Sequence, residues 1–129
     1  MTATNGPLAA VKVLTVLTTT GSAAQAAALA RGAVEARLAA CAQTSGPVTS
    51  VYRWQGAVET SQEWQILFKT TEDRYDALET HLKERHDYET PEIIATPVVR
   101  GSADYLEWIA AETATPDVPP AVSPQQPAP

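Results

Sequence analysis

Residues Cys41 to Thr71 read CAQTSGPVTSVYRWQGAVETSQEWQILFKTT, and this stretch decides the fold. Cys41 to Trp54 reads as an extended strand, bent or interrupted at Gly46-Pro47 because proline has no N–H for the ladder. Gln55-Gly56 supplies a turn. The return strand, near Gln62 to Thr71, alternates Trp64, Ile66 and Phe68 against Glu63, Gln65, Leu67 and Lys69. The pattern predicts a hairpin with one strongly apolar face.

Upstream, Val11 to Thr18 is β-branched and apolar on both alternating faces, which predicts a central strand covered from two sides. Gly21 breaks it, and Ser22 with Gln25 forms a capping box that starts a helix. Ala26, Leu29, Ala30, Ala33, Val34 and Leu38 then make one helical stripe, with Arg31, Glu35 and Arg37 facing water or an interface. Downstream, a second helix is expected from about Glu72 to His86, burying Tyr75, Leu78 and Leu82. Pro91 to Val99 reads as the last strand, at an edge because of Pro97, and Gly101-Ser102 opens a short terminal helix carrying Tyr105, Leu106, Trp108 and Ile109.

The order β-α-β-β-α-β plus a terminal helix predicts an α+β, ferredoxin-like sandwich: a four-stranded, largely antiparallel sheet with both helices on one face. A bare second face on strands that are apolar on both sides must bury itself against something, and self-association is the simplest answer.

The 129 residues suit one domain, expected over 11–111 between a flexible N-terminus (1–10) and a proline-rich, PPII-like or disordered tail (112–129). Nine basic against fifteen acidic residues leave a formal charge of -6, so no basic stripe exists to hold nucleic acid. The single cysteine, Cys41, forms no internal disulfide, and neither a signal peptide nor a membrane span is visible. The cytoplasm is the expected compartment.

Five stretches together resemble the CutA divalent-cation tolerance family: Leu38-Ala39-Ala40-Cys41, Val51-Tyr52-Arg53-Trp54-Gln55-Gly56, Lys69-Thr70 after Glu63, His86-Asp87-Tyr88-Glu89-Thr90-Pro91-Glu92-Ile93, and Tyr105-Leu106-Glu107-Trp108-Ile109. The resemblance implies a compact homotrimer similar to that of the PII signal-transduction proteins, with sheets facing inward and clefts between subunits. It also implies tolerance to divalent metals, copper above all, and no definite enzymatic activity. Members usually carry proline directly after the histidine, where this chain has Asp87, and some carry cysteine near the end of strand one, where it has Thr18. The threonine removes a soft thiolate, and Asp87 adds a hard oxygen beside His86.

His86 is therefore a candidate metal ligand with Asp87, or alternatively a protonated C-cap favoured by the helix dipole. His81 lies five residues earlier, off the same helical face, and no HExxH or CxxC spacing exists, so a metal is not required for the fold. Cys41 is expected to pack as a small hydrophobe. In the resembled family, positions matching Arg53, Glu63, Lys69, Tyr88, Glu92 and Trp108 lie on or near the intersubunit cleft. There they hold either a small polar ligand or an ion-pair network between subunits. Trp54, beside the turn, is expected at the same interface. Glu89 and Glu92 flank Thr90-Pro91 with no nucleophile or phosphate-cradling loop nearby, so catalysis is not expected. The readings carried forward are a non-enzymatic trimer binding divalent metal, and a PII-like regulator that binds a small metabolite or nucleotide and signals to a protein partner.

Overall fold

The computed structural model describes residues 12–115; the expected N-terminal arm and the tail beyond residue 115 lie outside the described residues. In chain order the elements are β1 (Val13–Thr20), α1 (Ala23–Glu35), β2 (Cys41–Trp54), β3 (Ala57–Thr71), a 3-10 turn (Glu72–Arg74), α2 (Tyr75–Arg85), β4 (Ile93–Pro97) and α3 (Ala103–Glu112). The strands form one sheet in the order β2-β3-β1-β4 with every pair antiparallel. This is the expected ferredoxin-like βαββαβ arrangement with a terminal helix. β4 is an edge strand, and Pro97 opposite Leu14 ends its ladder.

Alternation sends Val16, Ile66 and Phe68 to one face, where they bury with Ala26, Leu29 and Ala33 of α1 and Leu78 and Leu82 of α2. Each fully buried Leu or Phe there contributes about 1.5–3 kcal/mol. Val34, read as part of the stripe, is 38% exposed because it lies at the stripe's edge, about 80° around the helix from Ala26. Arg37 follows in the left-handed region (φ 61°) and donates to the Ala111 carbonyl at 2.9 Å, tying this corner to the end of α3.

The second sheet face is only partly bare. Residues of α3 bury Ile109 against Val13 and Ala40, with Tyr105, Leu106 and Trp108 alongside. The terminal helix thus covers one end of the face that the first two helices leave open.

The capping box forms by half. Ser22 Oγ accepts the Gln25 N–H at 3.1 Å, but the Gln25 amide does not reach back. Its Nε2 donates instead to the Arg85 carbonyl at 2.9 Å, so one side chain joins the start of α1 to the end of α2.

The hairpin is longer than its apolar pattern suggests. Gln55 and Gly56 both have positive φ (51° and 84°), so Trp54 pairs directly with Ala57 and β3 begins five residues before Gln62. A bulge between Ser45 and Val48 changes the strand's parity: Ser45 opposes Gln65, whereas Val48 opposes Glu63. Beyond it, Ser50, Tyr52 and Trp54 share a face with Glu63, and Arg53 points the other way opposite Val58. Gly46 sits in the bulge at φ 150°, where a Cβ would lie 2.7 Å from Trp64 Cδ1; only glycine lets the indole lie this close.

His81 of α2 faces Gly32 of α1, and its Nε2 is buried without a hydrogen-bond partner. Burial, and then the charge of Arg85, push its pKa below the ordinary value, against an opposing effect of Glu84. The unfolded chain therefore binds this proton more readily than the fold does. Stability is full above the ordinary histidine pKa of about 6.5 and falls as pH drops from there toward the lowered folded value. Guanidinium unfolding should show that loss between neutral and mildly acid pH, and His81→Gln should flatten it relative to the parent.

Candidate functional site

α2 ends at Arg85, and His86 leaves the helix in an extended conformation (φ -76°, ψ 148°) as its C-cap residue. The side chain is fully buried and does not bond the helix carbonyls. Its Nδ1 accepts the Tyr88 backbone N–H at 3.1 Å, which leaves the ring proton on Nε2, donated to Thr18 Oγ1 at 3.2 Å. Thr18 is itself fully buried on β1. The Asp87 carboxylate, 47% exposed, brings Oδ1 to 3.3 Å from His86 Nδ1. Among the described residues, no group of three or more His, Cys, Asp and Glu side chains is arranged to hold a metal.

Tyr88 turns back over the sheet, 5.1 Å from the His86 ring, and its hydroxyl donates to Glu63 Oε2 at 2.8 Å. Burial first, and then the hydrogen bond to Glu63, push the phenol above its usual range, so it stays protonated and keeps its O–H for donation to Glu63. Glu63 is 8% exposed.

Between the hairpin arm and the segment from Asp87 to Glu92 lies a cleft of about 550 Å³ lined by Tyr52, Trp54, Glu63, Asp87, Tyr88 and Glu89. An adjoining hollow of about 370 Å³ shares Tyr52, Glu63, Tyr88 and Thr90 and adds Ser50 and Glu92. Trp54, Glu63, Asp87, Tyr88 and Glu92 are thus brought together within one chain. The other residues singled out by sequence are not. Arg53 faces away from Trp54 across the strand. Lys69 lies six residues along β3 from Glu63, about 20 Å away. It donates to Gln43 Oε1 at 3.0 Å and sits 5.7 Å over the Tyr105 ring, which stacks on Trp108 at 5.4 Å. Cys41 begins β2 half-buried, opposite Lys69.

Ser50, Tyr52 and Thr90 are among the lining residues that sequence reasoning missed. Tyr52 was detectable as the residue two before Trp54 on the same strand face, and its hydroxyl lies 3.2 Å from Ser61 Oγ.

The family profile of the CutA1 divalent ion tolerance protein matches residues 14–112. The divalent-cation tolerance protein CutA of Thermus thermophilus is 42% identical over 98 residues, 76% of this chain and 95% of that protein. Among solved structures, CutA from Xylella fastidiosa superposes with a TM-score of 0.77 at 39% identity, over 79% of this chain and 98% of that one. A 29% identical structure from Archaeoglobus fulgidus, TM-score 0.77 over 79% and 99% of the two chains, is described as a periplasmic divalent cation tolerance protein. Among the described residues of this chain, no helix is long and apolar enough to cross a membrane. With the profile spanning the whole βαββαβ body and α3, and relatives above 40% identity along it, the chain belongs to the CutA1 divalent ion tolerance family.

Proposed function

We propose that this protein is a non-enzymatic homotrimer that takes up a divalent cation, copper(II) in particular, at His86 Nδ1 and the Asp87 carboxylate. The observation that carries the reading is the 3.3 Å separation of Nδ1 from Asp87 Oδ1, with Nε2–H anchored on Thr18. Two ligands each about 2 Å from one ion stand about 3.3 Å apart at a tetrahedral angle and about 2.8 Å apart at the right angle copper(II) prefers, so the pair need close by only about half an ångström to hold it. A histidine that binds metal through one nitrogen usually donates the other N–H to a nearby oxygen, which is the role of Thr18 here. The ion reaches the buried ring along the exposed Asp87 side and displaces the Tyr88 amide from Nδ1. Two protein ligands and that displacement together make the affinity modest, with water or a second copy of the chain completing the coordination.

A role without turnover accords with the chemistry of the cleft. The Tyr88 phenol is held protonated, so it is no base at neutral pH, and both nitrogens of the His86 ring are already hydrogen-bonded. Assembly as a trimer is supported by the hairpin arm, whose Val51 and Val58 on one side and Tyr52 and Trp54 on the other are all exposed in the single chain. A two-stranded ribbon with both faces wet is marginal in water and gains its stability by packing on a neighbour. A cytoplasmic setting accords with the lone, unpaired Cys41.

The second reading, a regulator holding a small metabolite, draws on the volume and aromatic walls of the cleft. No Lys or Arg is among the described residues lining it, which disfavours the phosphates of a nucleotide.

Copper(II) titration against a competing chelator tests the metal reading. The parent should bind with defined stoichiometry, and both His86→Ala and the exposed Asp87→Asn should weaken binding by about tenfold or more. Equal affinity in all three proteins would exclude this site.

A further inference from the structure

Glu63 is 8% exposed, yet among the described residues no Lys, Arg or His forms an ion pair with it. Its one described hydrogen bond is the neutral Tyr88 hydroxyl on Oε2. A carboxylate taken out of water with a single neutral donor carries an uncompensated desolvation cost, which a cation in the adjacent cleft would offset. The walls of that cleft say which kind of cation. Tyr52, Trp54 and Tyr88 line it together with Glu63, and aromatic faces attract weakly hydrated organic ammonium groups through the ring quadrupole. A bare divalent ion instead seeks several converging oxygens at short range. The volume, about 550 Å³, is that of a small-molecule site rather than of an ion cage. Asp87 and Glu89 add negative charge to the rim, Glu92 does so in the adjoining hollow, and no basic residue is described in the lining of either.

We propose that this cleft binds an organic ammonium ion, with Glu63 as its counter-charge and Tyr52, Trp54 and Tyr88 as its aromatic walls. The three further carboxylates suit a ligand carrying more than one ammonium group, spaced along a flexible aliphatic chain. The site is distinct in chemistry from the His86 and Asp87 ligand pair: it needs no metal and is read without one. A free amine and a lysine or arginine side chain from a second copy offer the same cationic chemistry, and we assign the site to the free amine.

The test is calorimetric titration with putrescine, spermidine and choline, in EDTA and at physiological ionic strength, using the parent, Glu63→Gln and Trp54→Leu proteins. Glu63→Gln keeps an acceptor for the Tyr88 hydroxyl, and Trp54→Leu keeps an apolar side chain on the arm, so amine affinity is compared at protein concentrations where sedimentation gives each variant the parent oligomeric mass. Saturable binding of at least one amine by the parent is expected, weakened about tenfold by Glu63→Gln and severalfold by Trp54→Leu. Absence of saturable binding, equal affinity in Glu63→Gln, or displacement by magnesium as readily as by a second amine would overturn the proposal. So would binding that appears only when Lys69 or Arg53 is replaced by Met, because the pocket is then filled by a neighbouring copy. All of these titrations are read in EDTA on proteins that keep His86 and Asp87, so a parent protein that fails to bind copper leaves every one of the results unchanged.

Discussion

Phe68→Ala should lower stability by about 3–5 kcal/mol, the largest loss expected from any single side chain in this core. Phe68 is fully buried on β3 and packs in the cluster that joins Val16 and Ile66 to Leu29 of α1 and to Leu78 and Leu82 of α2. Truncation removes the apolar area and leaves a cavity that the sheet cannot close, because β3 is fixed on both sides by β1 and β2. For a domain of this size the melting temperature should fall by more than about 12 °C, with the denaturant m-value unchanged. Val34→Ala is the matched control. Its side chain is 38% exposed, and the change should stay within about 0.5 kcal/mol. Parity between the two substitutions would mean that the sheet-facing cluster is not the core.

Unfolding should also depend on protein concentration, because a trimer that unfolds to three free chains loses stability on dilution by mass action. Each tenfold dilution lowers the free energy of unfolding by about 2.7 kcal/mol per trimer, two factors of ten at about 1.4 kcal/mol each. The dependence comes from the exposed arm. Val51, Val58, Tyr52 and Trp54 are between 42% and 66% exposed in the single chain, and they lie beyond the point where β1 stops pairing with β3 at Trp64. Denaturation followed over a hundredfold range of concentration should shift steadily. A melt that does not move, from a particle of monomer mass, would exclude the trimer.

The core and the order of elements were legible because alternation and helical spacing are local signals. Trp64, Ile66 and Phe68 mark one face of β3, and Leu78 and Leu82 mark one face of α2. What escaped was set by distance. The Gln25 side chain finds its acceptor in Arg85, sixty residues away, so the capping spacing shows only the Ser22 half of the contact. The first five residues of β3 carry no apolar alternation because neither face of the arm is covered within the chain. Gly46-Pro47 is visible as an interruption, but its effect on strand parity appears only in the register. That parity puts Tyr52 and Trp54, rather than Arg53, on the face of Glu63. In the candidate site, His86 and Asp87 are adjacent in sequence and were legible as a pair. The Thr18 contact that receives the ring's proton is a tertiary fact.

Electron paramagnetic resonance of the copper(II)-loaded protein tests most directly whether His86 and Asp87 hold the cation together. The expected spectrum has nitrogen coupling from one imidazole with oxygen donors in the remaining positions. His86→Ala should abolish the nitrogen coupling, and Asp87→Asn should shift the copper hyperfine values while keeping it. A parent spectrum with oxygen donors only, or a nitrogen signal that persists in His86→Ala, would contradict the assignment.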